Sequence, residues 1–228
     1  MPRQLTFDLP VRQALGRGDF FVSPANALAL AQVEDDTAWP QGKLVLTGPG
    51  GAGKTHLVHV WAQATGAVIV DAGALAALDL ARLAQSRRIA VEDARHIAGD
   101  REAETALFHL HNLIASQGGR LLVTGRGAPG RWGLILPDLE SRLSSAVQAS
   151  LDPPDDRLLS AVLLKLFADR QIAVSPALIH WLVGRMERSM AAARALVAAI
   201  DARALAEGRP VGRALAADVL DSLPAQGQ

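Results

Sequence analysis

The chain has 228 residues, of which half are hydrophobic and a fifth charged, enough apolar material for one sizeable core and a smaller second one. Basic and acidic residues number 23 each, and this zero net charge argues against stand-alone binding to DNA or to a membrane surface. The absence of cysteine excludes disulfides, thiolate metal sites and cysteine nucleophiles. Because neither a signal-peptide core nor an apolar run of about 18 residues is found, we expect a cytoplasmic protein.

Near the N-terminus, the segment RQLTFDLP at residues 3–10 alternates apolar and polar residues as a half-buried strand does. Pro2 and Pro10 flank this segment, and proline is a poor member of a hydrogen-bonded ladder. Two interpretations therefore stay open on this pattern alone. The segment is either an edge strand of the fold or a short extended peptide that binds another protein.

Beyond this segment, short apolar runs alternate with helical patterns. Strands are predicted at KLVLTG, AVIVDA, RIAVED, RLLVTG and AVQASL. Helices are predicted from about Pro24, over Lys54–Thr65, and over residues 74–86, 100–116 and 136–145. This alternation is typical of a five-stranded parallel sheet covered by helices on both faces, an α/β fold.

The sequence DPPDD at residues 152–156 marks a predicted boundary. After it only helical patterns follow, over residues 155–170, 175–186, 189–207 and 211–220. We therefore predict three parts: an extended peptide at residues 1–10, an α/β domain at residues 11–152 and a small all-helical domain at residues 153–228.

The sequence GPGGAGKT follows the first predicted strand and opens a predicted helix, which is the context of a phosphate-binding P-loop. Its glycines allow successive backbone N–H groups to turn towards a phosphate, and the helix N-terminus faces the same anion. In this motif the lysine contacts the β- and γ-phosphates and the threonine hydroxyl ligates Mg²⁺. The predicted contacts to ADP or ATP are Gly48, Pro49, Gly50, Gly51, Ala52, Gly53, Lys54, Thr55 and the adjacent His56.

Two carboxylates follow the third predicted strand, at Glu92 and Asp93. A P-loop protein needs a carboxylate on a neighbouring strand to hold the Mg²⁺ shell and to polarise water, and we assign Glu92 to the metal with Thr55. Both acids are candidate catalytic groups together with Lys54. For Asp93, a cap of the following turn is the competing interpretation.

The motifs GPGGAGKTHLVHVW and LLVTG…LPDLESRL, taken in order, resemble those of AAA+ ATPases of the DnaA/Hda family, bacterial regulators of replication initiation, and the Hda-type members in particular. The resemblance implies a P-loop AAA+ fold in which the terminal helices form a lid. It implies that Arg142 is an arginine finger acting on a partner's nucleotide, and that Phe20, Phe21 and Val22 lie near the adenine. A surface pairing with Asp138 or Glu140 is the competing role for Arg142.

The same resemblance implies that the N-terminal segment is a peptide that binds the β sliding clamp, through Gln4, Leu5, Phe7 and Leu9. It implies DnaA as a second partner, with DNA reached only through the clamp. A homo-oligomer is left open, and no membrane partner is expected.

Two positions depart from the family pattern. Arg126 stands where the family carries an acidic sensor residue, and Ala191 stands where the lid carries a nucleotide-sensing arginine, with Arg188 and Arg194 on either side. We therefore expect weak intrinsic hydrolysis. The alternative functions are a non-catalytic adaptor for the clamp and, less favoured, a P-loop kinase.

Overall fold

A computed structural model of the protein describes residues 16–222. The segment with Gln4, Leu5, Phe7 and Leu9, the predicted clamp-binding peptide, lies outside these residues. In the part described, no helix is long and apolar enough to cross a membrane.

All five predicted strands form, and they make one sheet in which every neighbouring pair is parallel. The strand order is β2-β3-β4-β1-β5, so the first strand is inserted between the fourth and the fifth. The strands are β1 (Lys43–Thr47), β2 (Val68–Asp71), β3 (Arg88–Glu92), β4 (Arg120–Gly125) and β5 (Val147–Ser150).

The helices of the sheet region alternate with its strands, and four further helices follow β5. The first group is α1 (Ala27–Glu34), α2 (Lys54–Thr65), α3 (Leu80–Ala84), α4 (Arg101–Ser116) and α5 (Pro137–Ser144). The second group is α6 (Asp156–Ala168), α7 (Pro176–Val183), α8 (Met190–Glu207) and α9 (Arg213–Ser222). Except between β2 and β3, these helices occur where the sequence predicted helical patterns.

The prediction of one helix over residues 74–86 was wrong. The chain forms a 3₁₀ segment, Ala72–Ala77, and then the short helix α3. Asp79 separates them, because its backbone is extended (φ −73°, ψ 94°) and its side chain accepts a hydrogen bond from the Arg82 N–H. An aspartate in this conformation is a helix N-cap, so it starts a helix rather than continuing one.

The central strands β1, β3 and β4 are buried on both faces of the sheet, and their alternate residues belong to different cores. In β1, Val45 packs into a cluster with α4 and α5, whereas Leu44 and Leu46 pack into a second cluster with α1 and α2. A third cluster, which includes Phe167 and Leu196, holds α6 to α9 together. The division of the chain at residues 152–153 stays a prediction.

Candidate functional site

The glycine-rich loop between β1 and α2 reverses the chain at the carboxyl edge of the sheet. Gly51 and Gly53 have positive φ angles of 72° and 103°, a conformation that L side chains rarely adopt. At Gly51 there is also no space, because a Cβ atom would lie 2.6 Å from Cβ of Ser189. The loop therefore needs glycine at both positions for its own conformation, and at Gly51 also for its close contact with Ser189, the residue before α8.

Lys54, the first residue of α2, is buried, and its ammonium group turns back into the loop. Its Nζ donates hydrogen bonds to the carbonyl oxygens of Gly48, at 2.8 Å, and Pro49, at 2.9 Å. Burial lowers the pKa of Lys54, the charge of Asp93 opposes that shift, and the nearby positive charge of Arg126 adds to it. A positive charge held in this way is stabilised by an anion in front of the loop.

A cleft opens in front of this lysine, between the loop, the ends of β3 and β4, and the start of α8. Three cationic side chains face it, from Lys54, Arg126 and Arg194. Within residues 16–222, the side chains of Arg126 and Arg194 have no hydrogen-bond or ion-pair partner. The full lining is Gly50, Gly51, Gly53, Lys54, Thr55, His56, Asp93, Arg126, Met190, Ala191 and Arg194.

A second, more apolar pocket adjoins the cleft and shares with it Gly53, His56, Met190 and Arg194. Phe20, which is buried, packs edge-on against the His56 ring with 5.1 Å between the ring centroids. The other residues that line the apolar pocket are Asp19, Phe20, Phe21, Asn26, Ala52, Leu158, Val162, Lys165, Leu166 and Asp169. The pocket is thus built from the segment before α1, from the P-loop and from the helical region.

The predicted adenine contacts differ in their placement. Phe20 and Phe21 line the apolar pocket, whereas Val22 is not part of its lining and is 53% exposed. Of the predicted phosphate contacts in α2, Thr55 lines the cleft, and His56 lines both the cleft and the apolar pocket.

The two predicted carboxylates lie at the end of β3 with different surroundings. Glu92 is the last residue of the strand and does not line the cleft. Asp93 lines it, with a left-handed backbone (φ 54°) and its N–H bonded to Oγ1 of Thr124 at 3.0 Å. The Thr55 hydroxyl and the Asp93 carboxylate are hard oxygen donors of the kind Mg²⁺ prefers, so the donor set of the cleft fits that ion.

The helical region after β5 brings an arginine to the cleft, although the position at which the resemblance predicted a sensing arginine is Ala191. Arg194, one turn further along α8, is half-buried and lines the cleft beside Ala191. Burial lowers the pKa of Arg194. Arg188 is engaged elsewhere, since its guanidinium pairs with Asp156 and donates to the carbonyl of Pro154.

Arg142 lies at the opposite edge of the sheet. Its carbonyl oxygen accepts a hydrogen bond from Nζ of Lys43, the first residue of β1, at 3.2 Å. The P-loop follows Thr47, the last residue of that strand, so four steps along β1, roughly 13 Å, separate the two edges. The Arg142 side chain is exposed and has no ion pair within residues 16–222, neither with Asp138 nor with Glu140.

Glu104 on α4 is a buried residue that the sequence pattern did not single out. Its carboxylate accepts hydrogen bonds from the backbone N–H groups of Gly99, at 2.9 Å, Ile135, at 3.0 Å, and Leu136, at 2.8 Å. Leu136 is the residue that precedes α5. Glu104 therefore fixes the start of the helix that carries Arg142.

No family model matches the sequence. Among solved structures, domain III of the replication initiation protein DnaA from Thermotoga maritima superposes with a TM-score of 0.78 at 17% identity, over 93% of this chain and 98% of that one. AMPPCP-bound DnaA from Aquifex aeolicus superposes with a TM-score of 0.68 at 15% identity, over 79% of this chain and 63% of that one.

A third similar structure is the RuvB Holliday junction branch migration motor of Thermotoga maritima, with a TM-score of 0.65 at 17% identity. The match covers 86% of this chain and 66% of that chain. The sheet and its flanking helices have the fold of these DnaA and RuvB structures, which confirms the predicted α/β fold class.

Proposed function

We propose that the chain binds ADP or ATP in the cleft in front of the P-loop. The observation that supports this most directly is the convergence of Lys54, Arg126 and Arg194 on one cleft, two of them without a partner in residues 16–222. Cationic groups that face an open, concave site at a helix N-terminus favour a phosphate ligand.

The ligand's two ends would be bound by different chemistry. The base enters the apolar pocket beside Phe20 and Phe21, and the phosphates follow the loop past Gly53 to Lys54. Mg²⁺ would be held by Thr55 and by the two carboxylates at the end of β3, with Asp93 facing the cleft and Glu92 next to it. The ion supplies positive charge to the phosphate oxygens.

Beyond nucleotide binding, we propose that the chain acts on a partner's ATP through Arg142. The exposed position of Arg142 at the edge remote from its own P-loop supports action in trans, because the guanidinium is too far away to serve the chain's own cleft. The partner we infer is DnaA, whose AAA+ domain shares this fold. The function is then that of an Hda-like regulator, which inactivates DnaA by promoting hydrolysis of its ATP.

The proposal also includes a tether. Gln4, Leu5, Phe7 and Leu9 would bind the β sliding clamp, so the protein would reach DNA only through the clamp. Tethering raises the effective concentration of Arg142 near clamp-bound DnaA without requiring a strong contact between the two proteins.

The test of nucleotide binding is calorimetric titration with ADP in the presence of Mg²⁺, comparing the unaltered protein with Lys54→Ala. Loss of the ammonium group removes its contact with the phosphates, and we expect an affinity loss of about 100-fold or more. Unchanged ADP affinity in Lys54→Ala, or no ADP binding by the unaltered protein, would contradict the proposed site.

The test of the tether is a deletion of residues 1–9. It should abolish binding to the clamp, measured by surface plasmon resonance, and leave the thermal midpoint almost unchanged. A buried strand would behave differently, because each fully buried Leu or Phe side chain contributes roughly 1.5–3 kcal/mol. A large drop in the midpoint with clamp binding retained would show that the segment is an edge strand.

A further inference from the structure

The arginine after β4 is the least expected group in the cleft. Arg126 directly follows Gly125, the last residue of that strand, and its side chain is exposed. Its guanidinium packs against the P-loop, since a Cβ atom built on Gly50 would lie 3.0 Å from Nη2 and 3.1 Å from Cζ of Arg126. Its charge is close enough to lower the pKa of Lys54.

The two adjoining pockets show which end of a nucleotide Arg126 would face. Arg194 lines both the apolar pocket and the cleft, so it lies where the two meet. Arg126, Lys54 and Asp93 line only the cleft. With the base in the apolar pocket, Arg126 lies at the far end, where the last phosphate of the chain would be.

The charges at this far end resemble those of a metal-loaded site. A free nucleoside triphosphate carries about four negative charges near neutral pH, and phosphate-binding sites commonly use Mg²⁺ to neutralise part of them. Here the guanidinium of Arg126 offers up to five N–H donors at the same end of the ligand. A divalent cation placed between the phosphates and Asp93 would also be repelled by this neighbouring positive charge.

We propose that Arg126 neutralises the terminal phosphate directly and thereby makes nucleotide binding by this chain independent of a divalent cation. The inference rests on the proposed nucleotide site and adds to it how that site compensates the ligand's charge. Mg²⁺ can still enter, but it contributes little to affinity.

The test measures the affinity for AMPPCP, a triphosphate analogue with a stable β–γ linkage, by calorimetry in EDTA and in Mg²⁺. For the unaltered protein we expect the dissociation constants in EDTA and in Mg²⁺ to differ by less than about threefold. This difference is smaller than the change in affinity that loss of one charge-assisted hydrogen bond causes. For Arg126→Gln we expect affinity in EDTA to fall roughly 10- to 100-fold, and Mg²⁺ to restore most of it.

Two further variants make the comparison specific. Arg131→Gln removes the same charge from an exposed residue of the same loop, outside the cleft lining, and should behave as the unaltered protein does. Arg126→Lys keeps the charge and should keep most of the binding in EDTA. Thermal melting of each variant verifies that it is folded.

The outcomes separate this inference from the proposed function. Two results would overturn the inference. One is an affinity of the unaltered protein for AMPPCP that is more than about tenfold weaker in EDTA than in Mg²⁺. The other is an affinity of Arg126→Gln in EDTA equal to that of the unaltered protein. Either result leaves the nucleotide site itself in place, provided that ADP binds in Mg²⁺ and depends on Lys54. Failure to bind either nucleotide under any condition would instead overturn the proposed function.

Discussion

The two edges of the parallel sheet present positive charge in opposite ways. At the carboxyl edge, Lys54, Arg126 and Arg194 face a concave cleft that the start of α8 also lines. At the amino edge, Arg142 is exposed at the end of α5, and Lys43 beneath it binds that helix's carbonyl oxygen. A ligand can be enclosed at the first edge, whereas the second edge can reach only a separate molecule.

This difference follows from the geometry of the sheet. Parallel strands place all their carboxyl ends, and hence the loops that leave them, on one side. The helix α5 runs back from that side to the start of β5, and so it carries Arg142 away from the cleft. If Arg142 is an arginine finger, its separation from the P-loop makes a second nucleotide-binding protein necessary for its function.

The largest effect is expected when Arg142, at the amino edge, is replaced. Arg142→Ala should lower the stimulation of DnaA-bound ATP hydrolysis on clamp-loaded DNA by about 10³–10⁵-fold, equivalent to roughly 4–7 kcal/mol of transition-state stabilisation. Hydrolysis is measured by release of radiolabelled phosphate, and ADP binding by the variant itself should not change. Full stimulation by Arg142→Ala would replace the trans-acting function with the adaptor function, in which tethering alone matters.

A smaller effect, on stability, is expected when Glu104, which binds the start of α5, is replaced. Glu104→Ala leaves the N–H groups of Gly99, Ile135 and Leu136 without their buried acceptor, and we expect the free energy of unfolding to fall by about 3 kcal/mol or more. Urea denaturation measures this loss. The exposed Glu102→Ala on the same helix is the matched control, with an expected cost below about 1 kcal/mol. Equal costs for the two variants would show that Glu104 does not hold the start of α5.

The smallest effect is a pH dependence shared by the two edges. Burial lowers the pKa of His56, beside the cleft, and of His111, near Lys43 and Arg142. Below about pH 6.5 the unfolded chain therefore binds protons that the folded chain does not, so stability falls as the pH falls, by at most about 1.4 kcal/mol per group and pH unit.

Single His56→Gln and His111→Gln variants should each reduce this slope, measured by urea denaturation between pH 5 and 7. The exposed His109→Gln, on the same helix as His111, should leave it nearly unchanged. A slope that neither variant reduces would assign the pH dependence to other groups.

Much of the carboxyl edge could be predicted from the sequence, because its signals are local. Apolar runs such as LVL in β1 are typical of strands buried on both faces, and the spacing of Gly48, Gly53 and Lys54 defines a loop whose conformation depends on neighbouring residues. The fold class followed from the alternation of such segments with helical patterns.

The convergence of Arg126 and Arg194 could not be predicted in the same way. They are separated by 68 positions in the sequence, one directly after β4 and the other in α8. The N–H of Met190 bonds to the carbonyl of Gly51 at 2.8 Å and holds the start of α8 against the loop, which is where the two arginines face the same cleft. Glu104 was missed for a similar reason, since two of its three partners follow it by more than 30 residues.

The position of β1 in the sheet also sets the order in which the molecule can assemble during synthesis. Val68 in β2 pairs with Ile89 in β3, so these strands can pair early, whereas Lys43 in β1 pairs with Leu121 and Leu44 with Val147. The loop after β1 is therefore anchored only when β4 and β5 have left the ribosome, and pairing between such distant segments is slow. If nucleotide binds at this loop as proposed, it would stabilise the protein late in its synthesis and would not guide its first steps of folding.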